Sequence, residues 1–128
     1  MSAGAITDAY AAWSTGDAEP FLALFADDAR FFIPGTTPVS ADHEGKDAFR
    51  PIAARVAAAL ADGTHTQEVL ETYENPTGAI VVLHNVVRAS GGEEIHYHSM
   101  HAFQGAVPGC PYWWLYLHEY DQFERAWQ

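Results

Sequence analysis

Positive charge and cysteine are what this sequence has least of. Six Lys and Arg stand against 17 Asp and Glu, a formal net charge of -11 in 128 residues. Nucleic acid is a poor partner for such a chain, because phosphates need a basic footprint. An anionic membrane surface is excluded on the same ground. The single cysteine, Cys110, allows neither an intrachain disulfide nor a multi-cysteine zinc site. No apolar run approaches the roughly 20 residues that span a bilayer. The N-terminal stretch also lacks the basic-then-apolar layout of a signal peptide. The expectation is a cytoplasmic protein that meets neither nucleic acid nor membrane. No repeat, low-complexity tract or linker divides the chain, so residues 1–128 read as one domain.

What the chain has in quantity is apolar and aromatic side chains, at 48% and 13%. That is enough for a real core, and for a pocket with large flat walls. With its net negative charge, such a protein suits a neutral, cationic or apolar small molecule.

The first half is helical. Ile6, Tyr10 and Trp13 fall on one face of a short helix that Gly16 stops. Asp17 then caps a second helix with Phe21, Leu24 and Phe25 as its buried stripe, ended by Asp27 and Asp28. A strand over 30–34 is closed by Pro34 and Gly35, and 36–44 reads as a polar loop. A third helix opens at Gly45–Asp47 and carries Phe49, Ile52, Val56 and Leu60 to a stop at Asp62-Gly63. Pro51 fits it only if the helix begins close before that residue. The second half is strand-like over 64–73, 79–89, 94–104 and 112–120, with hairpin-length breaks between the first three. Helices followed by a meander predict α+β: a cone-shaped, curved antiparallel sheet packed with three N-terminal helices and enclosing a pocket.

Three histidines crowd one turn-free strand, Glu94–Phe103. Alternation divides them. Ile95, Tyr97, Ser99, His101 and Phe103 share one face; His96, His98, Met100 and Ala102 share the other. Imidazoles titrate near neutrality and are candidate acid/base groups or ligands. His96 and His98 have the spacing of a chelating pair, but no third ligand is evident, so no metal site is expected.

Two N-terminal segments, Tyr10–Asp17 and Leu22–Ala29, resemble the opening of SnoaL-like proteins, which belong to the nuclear-transport-factor-like or ketosteroid-isomerase-like superfamily. The likeness continues through Phe32–Gly35, Pro38, Gly45–Asp47, Met100–Phe103 and Tyr120–Phe123. It implies a cone-shaped fold, a homodimer through the outer sheet face, and one of many chemistries or none. In ketosteroid isomerases the base is an Asp before the Pro that ends the first strand; here Ile33 stands there. The oxyanion-hole Tyr falls at Ala9, with Tyr10 beside it, and the oxyanion-hole acid falls at His101. Ketosteroid isomerase chemistry is therefore not expected. Epoxide hydrolases of this fold need an Arg and two Asp on neighbouring strands, and Arg88 has no such carboxylates.

The resemblance turns His101, Tyr97 and Ser99 toward the cone interior. His101 is expected as acid or base, with Tyr97 and, if it faces the cone, His84 holding a substrate oxygen. Ser99, Phe31, Ile33, Trp114, Tyr116 and Trp13 are expected to line the substrate site. The activity expected is cofactor-independent proton transfer, as isomerisation, cyclisation or dehydration, on a small apolar or aromatic molecule. A non-catalytic binder of such a molecule is the alternative, and a metal protein through His96 and His98 a third reading.

Overall fold

The computed structural model describes the backbone of residues 2–127 and the side chains of residues 4–127. Ten elements follow in chain order: α1 (Ser2–Ser14), α2 (Glu19–Leu22), β1 (Phe25–Ile33), β2 (Ala41–Glu44), α3 (Lys46–Asp62), β3 (His65–Asn75), β4 (Gly78–Arg88), β5 (Glu94–Phe103), β6 (Cys110–Leu117) and α4 (Tyr120–Ala126). The strands form one curved, unclosed sheet in the order β2-β1-β6-β5-β4-β3. The α+β cone expected from the pattern is present, with two refinements. The sheet is mixed, because β1 runs parallel to β6 while every other pair is antiparallel. A fourth helix, α4, follows the last strand where strand was expected up to Tyr120.

α1 buries Ile6, Ala9, Tyr10 and Trp13, a stripe at helical spacing. It ends at Gly16, whose φ is 102° and whose absent side chain makes room for Ala61 of α3; a Cβ there would lie 2.8 Å from Ala61 Cβ. α3 starts at Lys46, five residues before Pro51, and stops at left-handed Gly63. Its buried stripe, Phe49, Ala53, Val56, Ala57 and Leu60, lies on the concave side of the sheet.

The second helix is shorter than its apolar spacing suggests. Ala23 and Leu24 turn the chain into β1, and the Leu24 carbonyl accepts the N–H groups of Gly109 and Cys110 at the start of β6. Phe25 therefore enters the core from a strand and stacks on Phe103, with ring centres 5.4 Å apart. Asp27 and Asp28 sit in a register shift of β1 rather than at a helix end. β2, expected as loop, pairs with β1 from Arg30↔Glu44 to Ile33↔Ala41. It is an edge strand in which only Ala41 is buried, so its polar sequence hides it.

Candidate functional site

Sheet curvature and alternation together decide which side chains reach the concave face. Along β5, Ile95, Tyr97, Ser99, His101 and Phe103 are buried. Along β4 the buried set is Ala79, Val81, Leu83, Asn85 and Val87. Along β6 it is Cys110, Trp113 and Leu115. Three polar residues, Asn85, Ser99 and His101, thus interrupt apolar faces, and buried polar groups need partners. They find them in each other.

The result is a chain of hydrogen bonds along the inner wall. Tyr10 Oη on α1 lies 2.6 Å from His101 Nδ1. His101 Nε2 is 3.4 Å from Ser99 Oγ. Asn85 Nδ2 donates to Ser99 Oγ at 2.9 Å and, longer, to the Tyr97 carbonyl at 3.5 Å. Asn85 Oδ1 lies 2.9 Å from His65 Nε2 at the start of β3. Both imidazoles are neutral at physiological pH. Burial pushes His101 down to about 3, with the charge of His65 acting the same way. Burial likewise pushes His65 down to about 4, against the pull of Asn85. Burial also raises the Tyr10 phenol well above its usual value, a shift that the nearby Trp113 indole opposes, although the two form no well-aligned hydrogen bond. The Tyr10 hydroxyl keeps its proton and donates it to His101 Nδ1. His101 then carries its own proton on Nε2, the nitrogen beside Ser99 Oγ.

His65, Asn85, Tyr97, Ser99 and His101, with Gln67, border a cavity whose remaining wall is apolar, with Trp13, Ile33, Phe49, Leu115, Phe123 and Trp127 in it. Among the described residues no Asp, Glu, Lys or Arg lines it. The interior leaves about 30 Å³ for the centres of water molecules, room for roughly two waters. α4 closes one side with Phe123 and Trp127, and Trp127 Nε1 donates to Tyr97 Oη at 2.9 Å. Two buried polar atoms in the same wall have no partner among the described residues, His65 Nδ1 and Trp113 Nε1.

Of the residues singled out from sequence, His101, Tyr97, Ser99, Ile33 and Trp13 border this cavity. Phe31 does not; it is fully buried behind Phe49, stacked at 4.2 Å. His84 lies on the opposite face of the sheet, since the inward position of β4 belongs to its neighbour Asn85. There its ring packs between His96 and His98 with centres 5.1 Å away in both cases, and its Nε2 lies 2.9 Å from His96 Nδ1. Trp114 and Tyr116 also face outward, because Trp113 and Leu115 take the inward positions of β6. Among the described residues no three His, Cys, Asp or Glu side chains converge to hold a metal ion.

His65, Asn85 and Trp113 are the site residues that the sequence pattern does not single out. Asn85 carries a signal all the same: it is the one polar residue in the inward series Val81, Leu83, Asn85, Val87. His65 carries none, since it opens its strand directly after a turn.

The SnoaL-like domain model matches residues 6–105, most of the chain. The chain belongs to the SnoaL-like family. No curated protein matches it. Among solved structures, this SnoaL-like protein is similar to Bal32a from a soil-derived mobile gene cassette, at 20% identity and a TM-score of 0.82 over 98% of this chain and 95% of that one. It is also similar to TerC co-crystallized with polyporic acid, at 17% identity and a TM-score of 0.77 over 96% and 95% of the two chains. A third is an NTF2-like protein from Burkholderia pseudomallei, at 14% identity and a TM-score of 0.76 over 98% and 95%. At these identities the likeness is one of fold, which the SnoaL-like chain shares along nearly its whole length. No helix among the described residues is long and apolar enough to cross a membrane.

Proposed function

We propose that this SnoaL-like protein takes a small, uncharged, mostly apolar molecule into the cavity of the cone and catalyses a proton transfer on it, with no cofactor. The observation that carries the reading is the hydrogen-bonded chain from Tyr10 to His65, set into a mostly apolar wall. Buried polar chains of this kind are costly unless fully satisfied, and His65 Nδ1 and Trp113 Nε1, buried on residues of this wall, have no well-aligned partner among the described residues. His101 acts here as a neutral imidazole. With Nδ1 tied to Tyr10, its Nε2–H polarises a substrate oxygen, and the neutral imidazole of His65, whose Nδ1 has no partner among the described residues, takes the proton from the adjacent carbon and returns it. Tyr97 shapes the wall, its hydroxyl held by Trp127. His84 has no part in the reaction, because it lies outside the cone.

A ring-sized substrate needs more room than two waters. The proposal therefore requires a shift of α4, a helix of seven residues whose Phe123, with Trp127 just past its end, lines the cavity. The TerC crystals contain polyporic acid, a precedent for a small molecule with a chain of this fold.

The second reading is a binder without chemistry. It is favoured by a cavity lining with no carboxylate among the described residues and by imidazoles too weakly basic to hold a proton at neutral pH. The two are separated by following hydrogen–deuterium exchange next to the carbonyl of acetophenone and 2-tetralone by NMR in heavy water. Exchange accelerated by the wild-type protein and lost in His101→Phe supports the enzyme. Compounds that bind without faster exchange leave the binder.

We further propose a homodimer through the convex sheet face. Phe32, Trp114, Ala102 and Ile80 line up across four strands, and Tyr116, Met100 and Val82 form the next row. Ile80, Met100 and Tyr116 are exposed large apolar residues, and a patch of this kind marks an interaction surface.

A further inference from the structure

The convex face of the sheet carries a second polar cluster, which the cavity does not explain. One row beyond Val82, Met100 and Tyr116, His84 of β4 stands opposite His98 of β5 and diagonal to His96. Two neighbouring strands thus bring three imidazoles together, with the His84 ring centre 5.1 Å from each of the other two. A carboxylate faces one nitrogen of every ring. Glu68 Oε1 lies 3.6 Å from His84 Nδ1, Glu94 Oε1 lies 3.8 Å from His96 Nε2, and Glu119 Oε2 lies 3.0 Å from His98 Nδ1. A carboxylate favours a proton on the nitrogen it faces and leaves the lone pair on the other, the arrangement that orients metal-ligating histidines. The lone pairs of His84 Nε2 and His96 Nδ1 then face each other at 2.9 Å. Facing lone pairs repel, so the contact is held by a cation, a proton or a metal ion.

We propose that His84 Nε2 and His96 Nδ1 chelate one divalent transition-metal ion on the outer face of the sheet, copper(II) by preference. At metal–nitrogen distances of about 2.0 Å, ligand atoms 2.9 Å apart subtend an angle of about 90° at the ion. Neighbouring ligands of a tetragonal site make that angle, which suits copper(II) and nickel(II) better than tetrahedral zinc. Among the described residues no third group converges on the same point in the metal-free arrangement. His98 supplies one when its ring turns, because Glu119 engages Nδ1 and leaves Nε2 to coordinate. The three carboxylates and a chain charge of -11 draw a cation to this face, against the one cation paired there, Arg88 at 3.1 Å from Glu94. The side chains of His84 and His96 are 26% and 53% exposed, so the ion enters from solvent without opening the core. It lies behind the sheet from the cavity and takes no part in the proton transfer proposed there.

The test uses the whole chain without a histidine tag. Copper(II) is titrated against a competing chelator, and pulsed electron paramagnetic resonance counts the imidazoles on the bound ion. One ion per chain is expected, with a dissociation constant of about 10 µM or tighter and at least two imidazoles. His84→Ala and His96→Ala each weaken binding about tenfold or more, while His43→Ala, on the edge strand β2, leaves it unchanged. Acid releases the ion, because ligating nitrogens must be free of protons. Wild-type affinity weaker than about 10 µM, fewer than two imidazoles on the ion, or affinity retained in either His84→Ala or His96→Ala overturns the proposal.

Discussion

The hydroxyl of Tyr10, on the first helix, meets Nδ1 of His101, on the fifth strand, at 2.6 Å inside the core. Both residues are buried, at 2% and 4% exposure. One hydrogen bond therefore sets the tautomer of the imidazole that faces the cavity and ties α1 to the sheet.

Tyr10→Phe removes that bond and strands His101 Nδ1 without a donor. Leaving a buried acceptor unpaired costs about 1–3 kcal/mol. Urea denaturation is expected to show a loss in this range. NMR of the variant should show the His101 proton redistributed between its two nitrogens. A variant as stable as wild type would mean that the bond contributes nothing.

Asn85 holds the chain together, so its replacements should differ in kind. Asn85→Leu strips partners from both His65 and Ser99 and is expected to cost on the order of 2 kcal/mol or more. Asn85→Asp places a carboxylate against His65 Nε2. An opposite charge favours the protonated imidazole, so the His65 pKa should rise from about 4 toward neutrality. NMR titration reads the change directly, and a pKa that stays put or falls would contradict the geometry.

Stability should fall in mild acid. His65 and His101 are pushed down to about 4 and about 3, from 6.5 for a free imidazole. Below pH 6.5 the unfolded chain binds protons that the folded chain refuses, so acid favours unfolding. The contribution is full above pH 6.5 and is lost progressively as pH drops toward 3. Each tenfold loss of proton affinity on folding corresponds to roughly 1.4 kcal/mol, so the two groups together are worth several kcal/mol. Denaturation midpoints measured from pH 7 to pH 4.5 should decline steeply in wild type and less so in His65→Gln.

The convex face offers a contrast. His84→Ala and His96→Ala are expected to change monomer stability by no more than about 0.5 kcal/mol, as surface replacements do, and to leave ligand binding unchanged. Tyr116→Glu puts a charge into the outer apolar row and should convert a dimer into a monomer in sedimentation. A wild-type protein that sediments as a monomer would remove the dimer from the proposal.

Much of this architecture is legible in the residues. The apolar stripe of α1, the extent of α3 and the division of β5 into two faces all follow from periodicity, a local property. What periodicity does not say is which face of a strand turns inward. For β5 the burial of Ile95 and Phe103 beside Tyr97 marks the side. For β6 either face is aromatic, with Trp114 and Tyr116 on one and Trp113 on the other, and the inward position belongs to Trp113. In β4 the eye goes to the histidine, while the position that matters is the asparagine next to it. α2 and β2 escape the local pattern for a different reason. Phe25 pairs with Cys110 and Ala41 with Ile33, so their extended conformation depends on partners outside the local stretch.

The parallel pairing of β1 with β6 has a temporal consequence. Phe31 lies beside Trp113 and Phe32 beside Trp114, so the middle of the sheet joins early chain to late chain. Such distant pairings close large loops before they are rewarded, which slows folding. On a ribosome the helices and the β3–β4–β5 meander can assemble first, while β1 waits with only its short edge partner β2. Ile33, Trp113 and Leu115 come from the two strands that meet last, and Phe123 and Trp127 come later still. The cavity is thus the final part of the molecule to come into being, and a chain cut short before β6 would have most of its secondary structure and nowhere to put a ligand.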